Sequence, residues 1–338
     1  MGNIWKKCYF NISKIIKKMK KIVITGGCGF IGSHIVEYFF ARYKKANIIV
    51  LDKITYAASI NNLKHLKKEK RLKILKKNIL DFSTLKKITV KADLVIHAAA
   101  ESHVDNSFRL NDDFVMTNVL GTKNVMQASK ENKVKKIVHI STDEIYGEIF
   151  KGSFSENDRF NPSNPYSSSK AAAEMIVNGY IHSYKLPVIT VRANNIFGTR
   201  QHPEKLISGC CWSFLKNKKF TIHGKGIQKR TFLYVGDFCK ALDVLIKKGR
   251  LYESYNVGSF FEYQNIKIVK IIAKENNVDI KKNIKYVKDR PFNDFRYSVN
   301  FNKLKNLGWK PTVKVEDKIT EINNWYRQNI KRFKKRFE

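Results

Sequence analysis

The sequence has no apolar run approaching the ~20 residues that a membrane-crossing helix needs, so no transmembrane span is expected. Cysteine is scarce: Cys8, Cys28, Cys210, Cys211 and Cys239 are the five in 338 residues. The count is odd and no C-x-x-C spacing occurs. That argues against a disulfide framework or a metal site and suits a reducing, cytoplasmic setting. Acidic residues are outnumbered, 29 Asp and Glu against 65 Lys and Arg, for a formal net charge of +36. Of those 65, 13 are Arg and 52 are Lys. The lysines run through every segment instead of gathering on one arm or face, so specific nucleic-acid binding is not expected. The positive field still favours anionic small substrates.

What is present is a globular chain, 43% hydrophobic and long enough for one large domain or two ordinary ones. Strand and helix patterns alternate. Apolar runs at 22–25, 48–51, 72–75, 94–96, 137–140 and 188–191 read as buried strands. Helical patterns cover 30–42, 115–131 and 165–184. This alternation predicts an α/β fold of Rossmann type, a doubly wound parallel sheet with helices on both faces. After about residue 199 it loosens, and Pro203, Gly224, Gly226, Pro291 and Pro311 interrupt shorter elements. The expected organisation is a basic leader over 1–18, a dinucleotide-binding domain over 19–198, a smaller α/β substrate lobe from 199–234 and 259–330, and a basic tail over 331–338. Residues 235–258 are expected to return to the main sheet. No internal repeat is found.

The stretch "IVITGGCGFIGSH" sets Gly26, Gly27, Gly29 and Gly32 between a strand and a helix. Glycines there let the backbone turn tightly and let a pyrophosphate approach the free N–H groups at a helix start. Asp52 ends the second strand, about 20 residues on, where a carboxylate binds ribose hydroxyls and repels a 2′-phosphate. NAD is thus favoured over NADP, although Lys53 stands next door. Asp81 follows the third strand and is placed to accept the adenine amino group. Ala98, Ala99 and Ala100 follow the fourth and are small enough for a cofactor to lie against backbone. His97 and His103 read as packing or capping residues.

In "NPYSSSKAAAE", Tyr166 and Lys170 stand four apart at the start of a helix, on one face. An ammonium beside a phenol is expected to lower its pKa, so that phenolate takes a proton from a sugar hydroxyl while the same carbon gives up hydride. Upstream, "KKIVHISTDEIYG" puts two carboxylates, Asp143 and Glu144, at the tip of a core strand. Like charges placed there cost energy, and the pairing calls for a reason.

Together with "LDKITYAAS", "AAAESHVDNS", "RANNIFGTRQHPEKLI", "HGKGIQKRTFLYVGD", "YNVG", "DRPFNDFRY" and "GWKP", these motifs resemble the extended short-chain dehydrogenase/reductases that act on nucleotide sugars, from about Lys20 to Tyr326. Within them the chain is similar to the dTDP-glucose and UDP-glucose 4,6-dehydratases. Epimerases of that superfamily share the glycine loop and the Tyr-Lys pair but lack the Asp-Glu pair after Thr142.

The resemblance implies a reaction in which C4 of glucose is oxidised, water is eliminated across C5 and C6, and hydride returns to C6. The product is a 4-keto-6-deoxy sugar, a step towards deoxysugars such as rhamnose. It implies Glu144 as base at C5, Asp143 as acid at the C6 hydroxyl, and Thr142 alongside Tyr166 and Lys170. Two close carboxyls in a water-poor pocket raise one pKa, which supplies the protonated partner. Gly26, Gly29, Phe30, Ile31, Gly32, Asp52, Lys53, Thr55, Asp81, Ala98–Ala100 and Thr117 are implied at the cofactor. Ser102, Asn195, Glu204, Lys205, Leu206, Arg230, Asn293, Arg296 and Tyr297 are implied along the nucleotide sugar. "NDFRY" is closer to the eukaryotic and UDP-glucose branch, which leaves uracil and thymine both open. A homodimer built on the helices at 115–131 and 165–184 is also implied.

Overall fold

The computed structural model describes residues 19–289 and 293–333. The leader over 1–18, Pro291 and the last five residues lie outside the described residues.

Seven strands form one parallel sheet, as the alternating pattern predicted. They are β1 (Lys21–Thr25), β2 (Asn47–Asp52), β3 (Leu72–Lys76), β4 (Leu94–His97), β5 (Ile137–Thr142), β6 (Val188–Ala193) and β10 (Ser254–Val257), in the order β10-β6-β5-β4-β1-β2-β3. The central strands are apolar nearly throughout because both faces are covered. Helices α1 (Phe30–Arg42), α2 (Phe82–Thr89), α3 (Thr122–Glu131) and α4 (Pro165–Tyr184) supply most of that cover. One core gathers Ile22, Ile24, Val138, Ile189 and Val191 with α1 and with α6 (Val235–Lys248). The other gathers Val23, Val95, Ile137 and Val188 with α2, α3 and α4.

The strand order reverses between β1 and β4, with β2 and β3 on one side and β5 and β6 on the other. A crevice opens outside the carboxyl ends of the strands at such a reversal. The glycine loop follows β1 and the Thr-Asp-Glu segment follows β5, so both motifs are delivered to it.

The remaining strands make two small sheets. One has the order β11-β9-β7, with β7 (Asn195–Phe197), β9 (Lys229–Tyr234) and β11 (Glu262–Gln264). The other pairs β8 (Phe220–His223) with β12 (Ile284–Val287). Helices α5 (Leu206–Leu215), α7 (Asn265–Glu275) and α8 (Ile319–Gln328) close a separate apolar core around Trp212, Ile268, Ile272, Ile322 and Tyr326.

One element departs from its expected form. The helix expected over 115–131 begins as a π-helical stretch, Val115–Gly121, before turning α-helical. Asn118 accounts for the anchoring there. Its amide accepts from the Glu101 N–H and donates to the Glu101 carbonyl and the Ser169 hydroxyl. Gly121 packs so closely on Ile79 that an added Cβ would come within 2.3 Å of it.

Candidate active site

A cavity of about 520 Å³ runs from the glycine loop to the second lobe. At one end, Gly26 turns with φ +71°, and an added Cβ on Gly32 would lie 2.0 Å from the Gly26 carbonyl oxygen. The loop therefore packs directly on the start of α1. Gly29 differs: a Cβ there would meet only the Gly26 oxygen, at 3.5 Å, and would otherwise project into open space. No side chain caps α1, so its first N–H groups face the cavity beside Gly29, Phe30, Ile31 and Gly32. Free N–H groups at a helix start suit a pyrophosphate. The Asp52 carboxylate accepts from the Cys28 N–H at 2.8 Å and the Ile54 N–H at 2.7 Å. Burial raises its pKa, and these N–H groups oppose the rise. Lys53, Thr55, Ala98, Ala99, Ala100 and Thr117 also line this half. The donor set fits an adenine dinucleotide.

Asp81 does not line the cavity. Its carboxylate caps α2, accepting from the Thr84 N–H at 3.0 Å and from the Ser83 and Thr84 hydroxyls. The Thr84 N–H, first among these, holds the carboxyl well below the usual range. Asn78 and Ile79, just before it in the chain, do line the cavity. A helix cap satisfies otherwise unpaired N–H groups, and a short polar residue just before an amphipathic helix is the signal for it. That signal had been available in "DFSTL".

The reactive half is built by the end of β5 and the start of α4. Thr142 ends the strand, and its hydroxyl accepts from the Glu144 N–H at 3.3 Å, opening a 3-10 turn over Asp143–Tyr146. Gly147 closes the turn at φ +81°, where an added Cβ would meet the Asn161 oxygen at 2.3 Å. The turn separates the two carboxylates. Glu144 lines the cavity. Asp143 is 2% exposed and is not among the lining residues. It lies behind Thr142 and Asn194, accepting from the Thr142 hydroxyl at 3.3 Å and from the Asn194 amide at 2.6 Å. Burial, then the Glu144 charge, pushes Asp143 up to about 7. Burial also raises Glu144, with Lys205 and Arg230 opposing.

On α4, Asn164 caps the helix through a reciprocal bond with Ser167 and Pro165 pre-sets the first turn, which fixes Tyr166 at the cavity wall. Lys170 donates to the Ile140 carbonyl at 2.7 Å, and burial lowers it to about 8. The expected lowering of the Tyr166 phenol by Lys170 is not what this arrangement gives. Burial first, then Glu144 and Asp143, raise the phenol, and the Thr142 hydroxyl is the contact that lowers it. The Lys170 ammonium spends its hydrogen bond on β5 instead.

At the far end, Arg230 is 9% exposed. It donates to the carbonyls of Lys229, Phe295 and Asp294 and to the Asn293 side chain. None of these four acceptors is a carboxylate, and its charge acts on Glu144 and Asp143. It lies 4.4 Å over the Tyr297 ring. Lys205 donates to the Ser102 carbonyl at 2.7 Å. Glu204 faces His202 at 3.3 Å and His103 at 3.8 Å. Ser102, Asn195, Glu204, Lys205, Leu206, Asn293 and Tyr297 all line the cavity.

Arg296 does not line it. The Arg296 side chain pairs with Glu262 and donates to the Gly152 carbonyl at 2.8 Å. Successive residues of an extended segment face opposite ways, so with Tyr297 turned inward Arg296 turns out. Sequence reasoning missed Asn194, which stands in "RANNIF" beside the implied Asn195. It missed Asp294 as well, which lines the cavity and bonds Ser163 and Tyr297.

A family model described as GDP-mannose 4,6 dehydratase matches residues 23–322. The chain is 42% identical to the dTDP-D-glucose 4,6-dehydratase of Dictyostelium discoideum, over 92% of this chain and 82% of that protein. It is 39% identical to the protein of that name from Homo sapiens, over 93% of this chain and 92% of that protein. Among solved structures, the dTDP-glucose 4,6-dehydratase DesIV of Streptomyces venezuelae with NAD and TYD bound matches with a TM-score of 0.90 at 34% identity, covering 93% of this chain and 99% of that one. A UDP-glucose 4-epimerase of Thermotoga maritima with UDP-glucose matches with a TM-score of 0.84 at 26% identity, covering 92% of this chain and 99% of that one. The fold is thus shared with epimerases, while the sequence is nearer the dehydratases, and the chain belongs to the GDP-mannose 4,6 dehydratase family.

Proposed function

We propose that this protein is an NAD-dependent hydro-lyase that converts a nucleotide-diphosphate glucose, dTDP-glucose or UDP-glucose, into the 4-keto-6-deoxy sugar, a step towards deoxysugars such as rhamnose. The observation that carries the reading is one cavity wall holding Tyr166 and Lys170 together with Thr142 and Glu144, with Asp143 directly behind it. NAD would be held along the glycine loop by Gly26, Gly29, Gly32 and Asp52, and would supply hydride chemistry there and a positive charge that favours the phenolate.

Tyr166, as phenolate, accepts the proton of the C4 hydroxyl. The new ketone acidifies the C5 hydrogen, and Glu144 removes it as a proton. Asp143, held protonated by burial, is the source of the proton with which the C6 hydroxyl departs as water, reaching the cavity through the Thr142 hydroxyl bonded to it. Glu144 then returns its proton to C5. Arg230 binds the diphosphate, and Lys205, Glu204, Asn195 and Ser102 orient the sugar. The chain works as a homodimer in the cytoplasm. Val115 at 53%, Met116 at 43% and Met175 at 51% exposure leave an apolar face on the helices that the pairing would use. The buried thiols Cys28, Cys210, Cys211 and Cys239 are all free, which suits a reducing compartment.

The test is incubation with dTDP-glucose and with UDP-glucose, followed by NMR. A new C6 methyl signal with no net change in NAD is expected. A product epimerised at C4 with its C6 hydroxyl intact would favour the epimerase chemistry of the more distant neighbours.

A further inference from the structure

The glycine loop is held from outside itself. Cys28 stands between Gly27 and Gly29, and glycine on both sides leaves its peptide units weakly fixed by backbone torsions alone. Contacts from other segments fix them instead. The Cys28 N–H donates to the Asp52 carboxylate. The Cys28 carbonyl accepts from the Ser59 N–H at 3.0 Å and from the Asn62 side-chain amide at 2.8 Å. That carbonyl shares one rigid peptide plane with the Gly29 N–H. Turning the plane therefore moves Gly29, which caps α1 and faces the cavity.

Asn62 makes this contact in one orientation only. It is 4% exposed, and its Oδ1 accepts from the Arg332 guanidinium at 2.7 Å, across 270 positions of sequence. An arginine only donates and a backbone carbonyl only accepts. A single setting of the amide satisfies both, with Oδ1 towards Arg332 and Nδ2 towards Cys28. Without Arg332 the amide loses the contact that sets it.

Arg332 arrives on a 3-10 turn, Ile330–Phe333. The turn is seated on the wall of the cavity. The Phe333 ring lies 6.0 Å from that of Tyr326 and 5.7 Å from that of His202, and His202 lines the cavity. The Tyr326 hydroxyl donates to the carbonyl of Gln201, another lining residue. The Arg332 guanidinium lies 5.7 Å over the Trp325 ring. From this seat one side chain reaches the support of the glycine loop.

We infer that Arg332 and Asn62 are positioning residues for the cofactor: the terminal turn, acting through the Asn62 amide, fixes the Cys28 peptide and so slows the release of NAD. The inference rests on the proposed reaction, in which NAD ends each turnover as it began and has no need to leave.

The experiment follows release directly. NAD-loaded protein is mixed with an excess of deuterated NAD, and the cofactor still bound is recovered by desalting and measured by mass spectrometry over time. Arg332→Ala should release NAD about tenfold faster than wild type, the scale of one lost hydrogen bond to a charged group. Arg332→Lys, which still carries a donor for Oδ1, should recover most of the slow release. Asn62→Asp keeps an acceptor for Arg332 but has no N–H for the Cys28 carbonyl, so release should quicken at least as much as in Arg332→Ala. It decides the matter if Arg332→Ala does not fold. A merely structural role would lower the melting temperature without quickening release. Release within about twofold of wild type in Arg332→Ala or in Asn62→Asp therefore overturns the inference, whatever the melting temperature. The expected release rates, found alongside a wild type that makes no 4-keto-6-deoxy sugar, support the positioning and overturn the dehydratase reading instead.

Discussion

At the scale of single residues, the site separates two adjacent carboxylates by environment. Asp143 is enclosed and Glu144 faces the cavity; burial raises both carboxyls, and Lys205 with Arg230 opposes the rise at Glu144. Their variants should fail at different steps. Glu144→Gln is expected to allow NADH formation in a single turnover while C5 stops exchanging with deuterated water. Asp143→Asn should form NADH and stall before loss of the C6 hydroxyl. Each should lower turnover by about 10²–10⁴-fold, the usual contribution of a general acid or base. Tyr166→Phe should form no NADH at all. Absorbance at high enzyme concentration and mass spectrometry of C5 deuterium distinguish the three.

The pH dependence follows from the same carboxyl. Asp143 must be protonated to act, and its pKa stands at about 7. Turnover is therefore expected to fall as pH rises through about 7. Asn194 opposes the shift, so Asn194→Ala should move that descending limb to higher pH. Glu144, Thr142 and Arg230 also face the group and stay in place. For stability the sign is the same. The folded state holds this proton above the ordinary value of 3.8, so the contribution is present below that value and is lost as pH rises through 7.

At the scale of elements, two glycines in one loop have different jobs. Gly32 has no room: an added Cβ would strike the Gly26 oxygen at 2.0 Å. Gly32→Ala should cost about 1–3 kcal/mol, as overpacking does, and lower the melting temperature by several degrees. Gly29 has ordinary φ, −73°, and open space around it. Gly29→Ala should keep the melting temperature yet weaken NAD binding about tenfold or more, because the methyl occupies the pyrophosphate's place. Calorimetry and a fluorescence titration with NADH read the two effects apart.

Elsewhere, α4 is tied to β6 by the Glu174–Arg192 pair, whose side chains are 0% and 5% exposed. Removing one partner of a buried pair leaves an uncompensated charge. Glu174→Ala should destabilise by about 3–5 kcal/mol, measured from the urea midpoint.

At the scale of the whole molecule, five exposed apolar side chains, Val115, Met116, Leu120, Met175 and Tyr184, lie on the segment 115–121 and on α4. Large apolar patches on soluble proteins mark contact surfaces. Light scattering should give about twice the 39.3 kDa chain mass. Met116→Asp with Met175→Asp should reduce it to the single-chain mass without unfolding the sheet, read by circular dichroism. A wild-type mass of one chain at micromolar concentration would rule the dimer out. The +36 charge belongs to this scale as well, because it sets the field around an anionic substrate.

The sequence by itself determined the sheet, the loop and the placing of Tyr166 and Lys170 together on one cavity wall. These are local signals. Apolar runs of strand length mark β1 through β6, glycines between a strand and a helix mark the phosphate cradle, and a four-residue spacing marks Tyr166 and Lys170. Each is specified by neighbours a few positions away. Tertiary structure decided what depends on contacts across long separations. Asp81 caps its own helix because the cap outweighs a role that position alone suggested. Arg296 turns outward because Tyr297 turns in and Glu262 lies on the outer side. The rise of the Tyr166 phenol comes from enclosure and from carboxylates on another element, neither of which a motif displays. Asn194 reaches Asp143 across 51 positions and is held by Ser259 across 65. Such a bond leaves no period or spacing in the sequence, because the burial that creates it exists only once β5, β6 and the turn after β10 are packed together.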